Sequence, residues 1–95
     1  MSSMKRLVLD ILKPNEIENA TFARTLADLD GVEGTNVSLL ESDKEVQNLK
    51  ITIEGEAIDE TAVADAVENL GGTIHSVDEV VCGERLVEES STHQD

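Results

Sequence analysis

Between Leu70 and Gly83 the chain reads LGGTIHSVDEVVCG. His75, Asp78, Glu79 and Cys82 fall in that one stretch: an imidazole, two adjacent carboxylates and the only cysteine of the chain. Such groups could hold a metal ion, move protons, or belong to one strand with a polar interruption. Carboxylates with few competing bases suit the hard cations Mg²⁺ and Ca²⁺, and a histidine widens the choice to transition metals. A lone cysteine cannot supply the paired thiolates that soft ions want. No base is apparent that would activate Cys82 as a nucleophile, and a small buried apolar residue is its ordinary role.

The elements that would position these groups are legible as short periodic runs. KRLVLDIL, residues 5–12, alternates: Leu7, Leu9 and Ile11 share one face, and Val8, Asp10 and Leu12 the other. Lys13-Pro14 is expected to stop this strand, because proline lacks the donor that a ladder needs. Asn15 is expected to cap a helix, with Glu16 and Glu18 in its first turn, where the dipole favours anions. Phe22, Leu26 and Leu29, with Ala23 and Ala27 beside them, form its apolar stripe.

Two further alternating runs carry Val37, Leu39 and Leu49, Ile51, Ile53, with a polar turn over ESDKE, residues 41–45. Asp59 is a good N-cap for a second helix. Val63, Ala66, Val67 and Leu70 form its stripe, and Gly71-Gly72 its stop. A last strand starts at Thr73, with Asp78-Glu79 expected to break or bulge it before Val80 to Cys82 resumes burial.

Strand, helix, strand, strand, helix, strand predicts an α+β, ferredoxin-like βαββαβ fold. Right-handed crossovers give an antiparallel four-stranded sheet of order 4-1-3-2 with two helices on one face. That topology brings the end of the first strand beside the start of the fourth. Asp10 then joins His75, Asp78 and Glu79 as a candidate divalent-cation site. Each residue also has a bland reading: a polar group on an exposed sheet face for Asp10, an exposed or interface histidine for His75, a bulge for Asp78-Glu79. The uncovered face carries Val8, Leu12 and Leu40, a candidate contact with a second copy.

Several activities of this fold lack their parts. The Cys-x-x-Cys pair of a heavy-metal chaperone is replaced by LKPNEIE. Strand aromatics that would stack RNA bases are missing, since the single aromatic is Phe22 on a helix. An acylphosphatase would need a phosphate-cradling loop with arginine after the first strand. The Asp-x-x-Gly signature of amino-acid-binding ACT modules is also absent. With no serine in a nucleophile elbow and no glycine-rich phosphate loop, no catalytic role is expected. No cofactor is implied beyond a divalent cation, Mg²⁺ or Ca²⁺.

Composition bounds the setting. The chain has 95 residues, 21 Asp and Glu against 7 Lys and Arg, and a formal net charge of −14. That charge repels phosphate backbones and anionic membranes, so neither nucleic acid nor a membrane is an expected partner. No apolar run approaches the ~18 residues of a membrane span. One cysteine and no signal-peptide pattern point to the cytoplasm. The acidic excess and near absence of aromatics point to a high-salt cytoplasm, as in halophilic archaea, where molar salt cuts the screening length to ~3 Å. Residues 1–87 read as one domain and 88–95 as a disordered acidic tail. A core this small gains from self-association.

RLVLDILKP, LDGVEGTNVSLLESDKEVQNLKITIEG and LGGTIHSVDEVVCGERLV, in that order, resemble an archaeal family known as domain of unknown function two-one-one. The resemblance covers roughly residues 5–87. It implies a ferredoxin-like fold, archaeal origin and a homo-oligomer, and no activity. The polar positions it matches are Asp10, Lys13, Pro14, Asp43, His75, Asp78 and Glu79, and it assigns none of them a role.

Overall fold

Apolar alternation along one face of three strands, covered by two amphipathic helices, organises the whole molecule. The computed structural model describes residues 2–90. It contains β1 (Met4–Pro14), α1 (Asn19–Ala27), β2 (Val32–Ser42), β3 (Val46–Gly55), α2 (Glu60–Asn69) and β4 (Thr73–Cys82). The sheet order is β2-β3-β1-β4, and every pairing is antiparallel. This is the expected ferredoxin-like arrangement read from its other edge. The disordered tail expected over 88–95 falls largely on residues 91–95, which lie outside the described residues.

The core is the set of strand residues facing the helices. Leu7, Leu9 and Ile11 of β1 and Leu49, Ile51 and Ile53 of β3 are fully enclosed, with Phe22 and Leu26 of α1 and Val63 and Val67 of α2 above them. Burying such side chains supplies about 1.5–3 kcal/mol each in transfer free energy. Helix α2 begins as expected: the Asp59 carboxylate accepts hydrogen bonds from the Thr61 and Ala62 N–H groups at 3.0 and 3.3 Å. Gly71, at φ +90°, ends it.

Four local expectations are corrected. Strand β1 does not stop at Leu12 but continues through Pro14, which sits opposite Val46 at the last rung, where a missing donor costs little. Helix α1 starts at Asn19 with Glu18 as N-cap, so Asn15 does not cap it and Glu16 and Glu18 are not in its first turn. Asn15 turns instead to the β2–β3 hairpin. Its amide donates to the Asp43 and Lys44 carbonyls at 3.3 and 2.7 Å, and its N–H to the Glu45 carbonyl at 3.2 Å. Those backbone acceptors outcompete the helix end.

The last two corrections concern β4 and the uncovered face. β4 is continuous, yet Val80 and Cys82 are exposed and only Val81 is buried there. As an edge strand it lies at the margin of the helical cover. On the uncovered face Val8 is 5% exposed, because Arg6, Lys50, Thr52 and Glu79 surround it, and Leu40 sits at a β-bulge. Of the three residues expected to present an apolar patch there, Val8 does not, whereas Leu12 and Leu40 stay 37% and 48% exposed.

Candidate functional site

The residues singled out for cation binding are positioned by β1 and by irregularities of β4. Asp10 stands opposite Lys50 of β3 and Ser76 of β4. Val8 stands opposite Glu79, and Leu9 opposite Val77. The register shifts between these rungs leave Asp78 and His75 as the extra residues of two bulges. Each extra residue resets the side-chain phase, so Ile74, Val77 and Val80 all stand opposite helix-facing residues of β1, three apart rather than two. Asp10, Ser76 and Glu79 keep to the uncovered face.

Each carboxylate already has a protein partner. Asp10 accepts a hydrogen bond from the Asn48 side-chain amide, which also donates to the Ile11 carbonyl at 3.0 Å. Asp78 accepts from the Ser76 hydroxyl at 2.7 Å. Glu79 lies 3.6 Å from the Arg6 guanidinium. His75 is exposed. The fold therefore brings Asp10 and the β4 residues to the same pair of strands. Among the described residues, however, no three His, Cys, Asp or Glu side chains converge as a metal-holding group.

Two positions without an assigned role are the most distinctive polar groups in the structure. Arg6 gathers three carboxylates: Glu54 at 2.8 Å, Glu88 at 3.0 Å and Glu79 at 3.6 Å. Its hydrogen bonds to Glu88 and Glu54 push its own protonation further up. The same contact with Arg6 holds the Glu88 carboxyl below its ordinary value. Lys13 is the one buried charged residue described, 2% exposed. Its ammonium donates to the Pro14 carbonyl at 3.1 Å and to the Ile17 carbonyl. The signal for Lys13 was in the alternation itself: Leu7, Leu9, Ile11 and Lys13 are one phase of β1. For Arg6 no local signal exists, since Glu54, Glu79 and Glu88 are all distant in sequence.

Beside Lys13 lies a cavity of about 670 Å³ between the β1–α1 loop, the β2–β3 hairpin and the start of β4. Leu12, Pro14 and Val46 supply its apolar lining. A second depression of about 630 Å³ runs along the uncovered face over β2 and β3, lined by Asn36, Ser38, Lys50 and Thr52 among others.

Comparison with known proteins gives a relative and a family. A protein of Methanocaldococcus jannaschii, "Uncharacterized protein MJ0319", is 46% identical over 95 residues, covering 100% of this chain and 98% of the relative. The family model DUF211, described as "Uncharacterized ArCR", matches residues 5–95. A match across nearly the whole length, in a chain whose structure has the expected fold, leaves one conclusion: the chain belongs to the DUF211 family.

Proposed function

We propose that this protein is a self-associating ferredoxin-like module that binds a small ligand or divalent cation in a regulatory or structural role, without catalysis. The observation that carries the reading is the state of the two sheet edges. Among the described residues β2 pairs only with β3, and β4 only with β1, so each offers a row of backbone donors and acceptors. Those same strands hold exposed large apolar residues, Leu39 and Leu40 on β2 and Val77 and Val80 on β4, each close to half exposed. Edges of this kind are templates for pairing with another chain. A second copy would satisfy the backbone and cover the side chains together.

Sedimentation in ~2 M KCl, where charge repulsion at −14 is screened, tests this. Assembly is expected at micromolar concentration in the parent and is expected to be lost in the double variant Leu40→Lys, Val77→Lys. A parent that stays monomeric across that range would sink the reading.

A divalent cation at Asp10, His75, Asp78 and Glu79 is a second reading. It is favoured by the two bulges of β4, which fall at His75 and Asp78, since bulges re-aim side chains beside functional sites.

A further inference from the structure

The cavity beside Lys13 combines side chains of both charges with an apolar lining. Lys13 and Lys44 both line it, two of a small complement of seven Lys and Arg in a chain of net charge −14. Glu16 and Glu45 line it as well. Lys5 and Arg6 are drawn into ion pairs with carboxylates, whereas among the described residues these four groups make none. They stand around an apolar floor of Leu12, Pro14 and Val46 instead of neutralising one another.

The burial of Lys13 sharpens this. An ammonium removed from water is costly unless its charge is compensated. Here its described partners are two backbone carbonyls, which take two of its three donors and supply no negative charge. The buried positive charge of Lys13 in the lining, with Lys44 exposed there, favours a carboxylate within the cavity. Glu16 and Glu45, both exposed, favour a cation within the same cavity. The volume of about 670 Å³ falls within the ~300–1,000 Å³ usual for small-molecule sites.

We propose that this cavity binds a zwitterionic α-amino acid with an apolar side chain, its carboxylate toward Lys44 and Lys13, its ammonium toward Glu16 and Glu45, and its side chain on Leu12, Pro14 and Val46. The proposal rests on the ligand-binding part of the reading above and not on self-association. A plain carboxylate would leave the two glutamates of the lining without a cation, and a plain amine would leave the two lysines without an anion. A zwitterion answers both.

The test is an amide NMR titration of the full chain with leucine, with 4-methylpentanoate, which lacks the ammonium, and with 3-methylbutylamine, which lacks the carboxylate. Leucine is expected to give saturable shifts at Asn15, Lys44, Val46, Gly71 and Thr73, with each truncated analogue at least tenfold weaker. Lys44→Ala is expected to weaken leucine about tenfold, the worth of one charge-assisted hydrogen bond. Glu16→Gln with Glu45→Gln is expected to abolish the preference for leucine over 4-methylpentanoate. All of these positions but Lys13 are exposed, so the variants spare the core and Lys13 itself need not be altered. No saturable shift up to ~10 mM, above the range of a useful weak site, overturns the proposal. Equal binding of leucine and 4-methylpentanoate, or shifts confined to another surface, do the same. Sedimentation of the same samples separates the two readings: assembly without leucine binding removes this proposal and leaves self-association standing.

Discussion

The guanidinium of Arg6, near the start of β1, closes on the carboxylate of Glu88, beyond the end of β4, through two hydrogen bonds of 3.1 and 3.0 Å. This bidentate contact joins positions 82 residues apart and ties the C-terminal segment to the sheet. Arg6 stays protonated at every accessible pH, so the titrating partner is Glu88. Its carboxyl is held below the ordinary glutamate value, first by the hydrogen bond from Arg6 and then by the charge. A depressed folded pKa adds stability above the ordinary carboxyl pKa and loses it as pH falls through the folded value. Carboxyl-carbon NMR is expected to place the Glu88 titration lowest among the C-terminal glutamates. In Arg6→Gln it is expected to return to the ordinary range. Coincident titration curves in parent and variant would show that the tether does not form.

Salt acts on that pair and on the whole molecule in opposite senses. The Glu88 side chain is 71% exposed, so molar salt weakens its contact with Arg6. The net charge of −14 opposes compaction, and screening relieves that opposition. The thermal midpoint is expected to rise between 0.1 M and ~2 M KCl, while hydrogen exchange over residues 84–90 speeds up. A midpoint that falls with salt would mean that the attractive pairs outweigh the repulsion.

Gly55 and Gly34 give a paired test of backbone packing. A Cβ at Gly55 would lie 2.0 Å from the Gly31 carbonyl oxygen, a collision with main chain that cannot rotate away. Gly55→Ala is expected to cost about 2–4 kcal/mol, lowering the thermal midpoint by roughly 10 °C or more. At Gly34 nothing lies within 4 Å of the added carbon. Gly34→Ala is expected to be neutral or to stabilise by up to about 1 kcal/mol through the unfolded chain. Equal midpoints for the two variants would contradict this packing of the Gly31 turn against the end of β3.

Element type and order were legible because they rest on local periodicity: Leu7, Leu9 and Ile11 alternate, and Val63, Ala66, Val67 and Leu70 recur with helical spacing. Asp59 and Gly71 were legible because a cap acts on its own neighbours. What was not legible depends on partners far along the chain. Asn15 looked like a cap until the Asp43, Lys44 and Glu45 carbonyls competed for it. Val8 looked like an exposed apolar residue until Arg6, Lys50 and Glu79 closed around it. In β4 the polar pair Asp78-Glu79 did mark an irregularity. Its consequence, a three-residue spacing of Ile74, Val77 and Val80, follows from pairing with β1 and not from β4 alone.

The cation reading can be tested so that charge alone is changed. Asp10 accepts from Asn48, and Asp78 accepts from Ser76. An asparagine at either position keeps an acceptor oxygen for that bond, so Asp10→Asn and Asp78→Asn remove negative charge while leaving the local contacts possible. Calorimetric titration of the parent with Mg²⁺, Ca²⁺, Mn²⁺ and Zn²⁺ is expected to give saturable heat with a hard cation, and both substitutions are expected to abolish it. Because Asp10 and Asp78 belong to different strands, loss in both variants requires one ion that the two strands share. Loss in Asp78→Asn alone would place the ion on β4 without β1. Heat that survives both would place it elsewhere, and no heat from the parent would leave an interaction module without a cation. Glu79 discriminates further: it faces Arg6, so a cation there must displace the guanidinium, and Arg6→Gln is then expected to tighten binding.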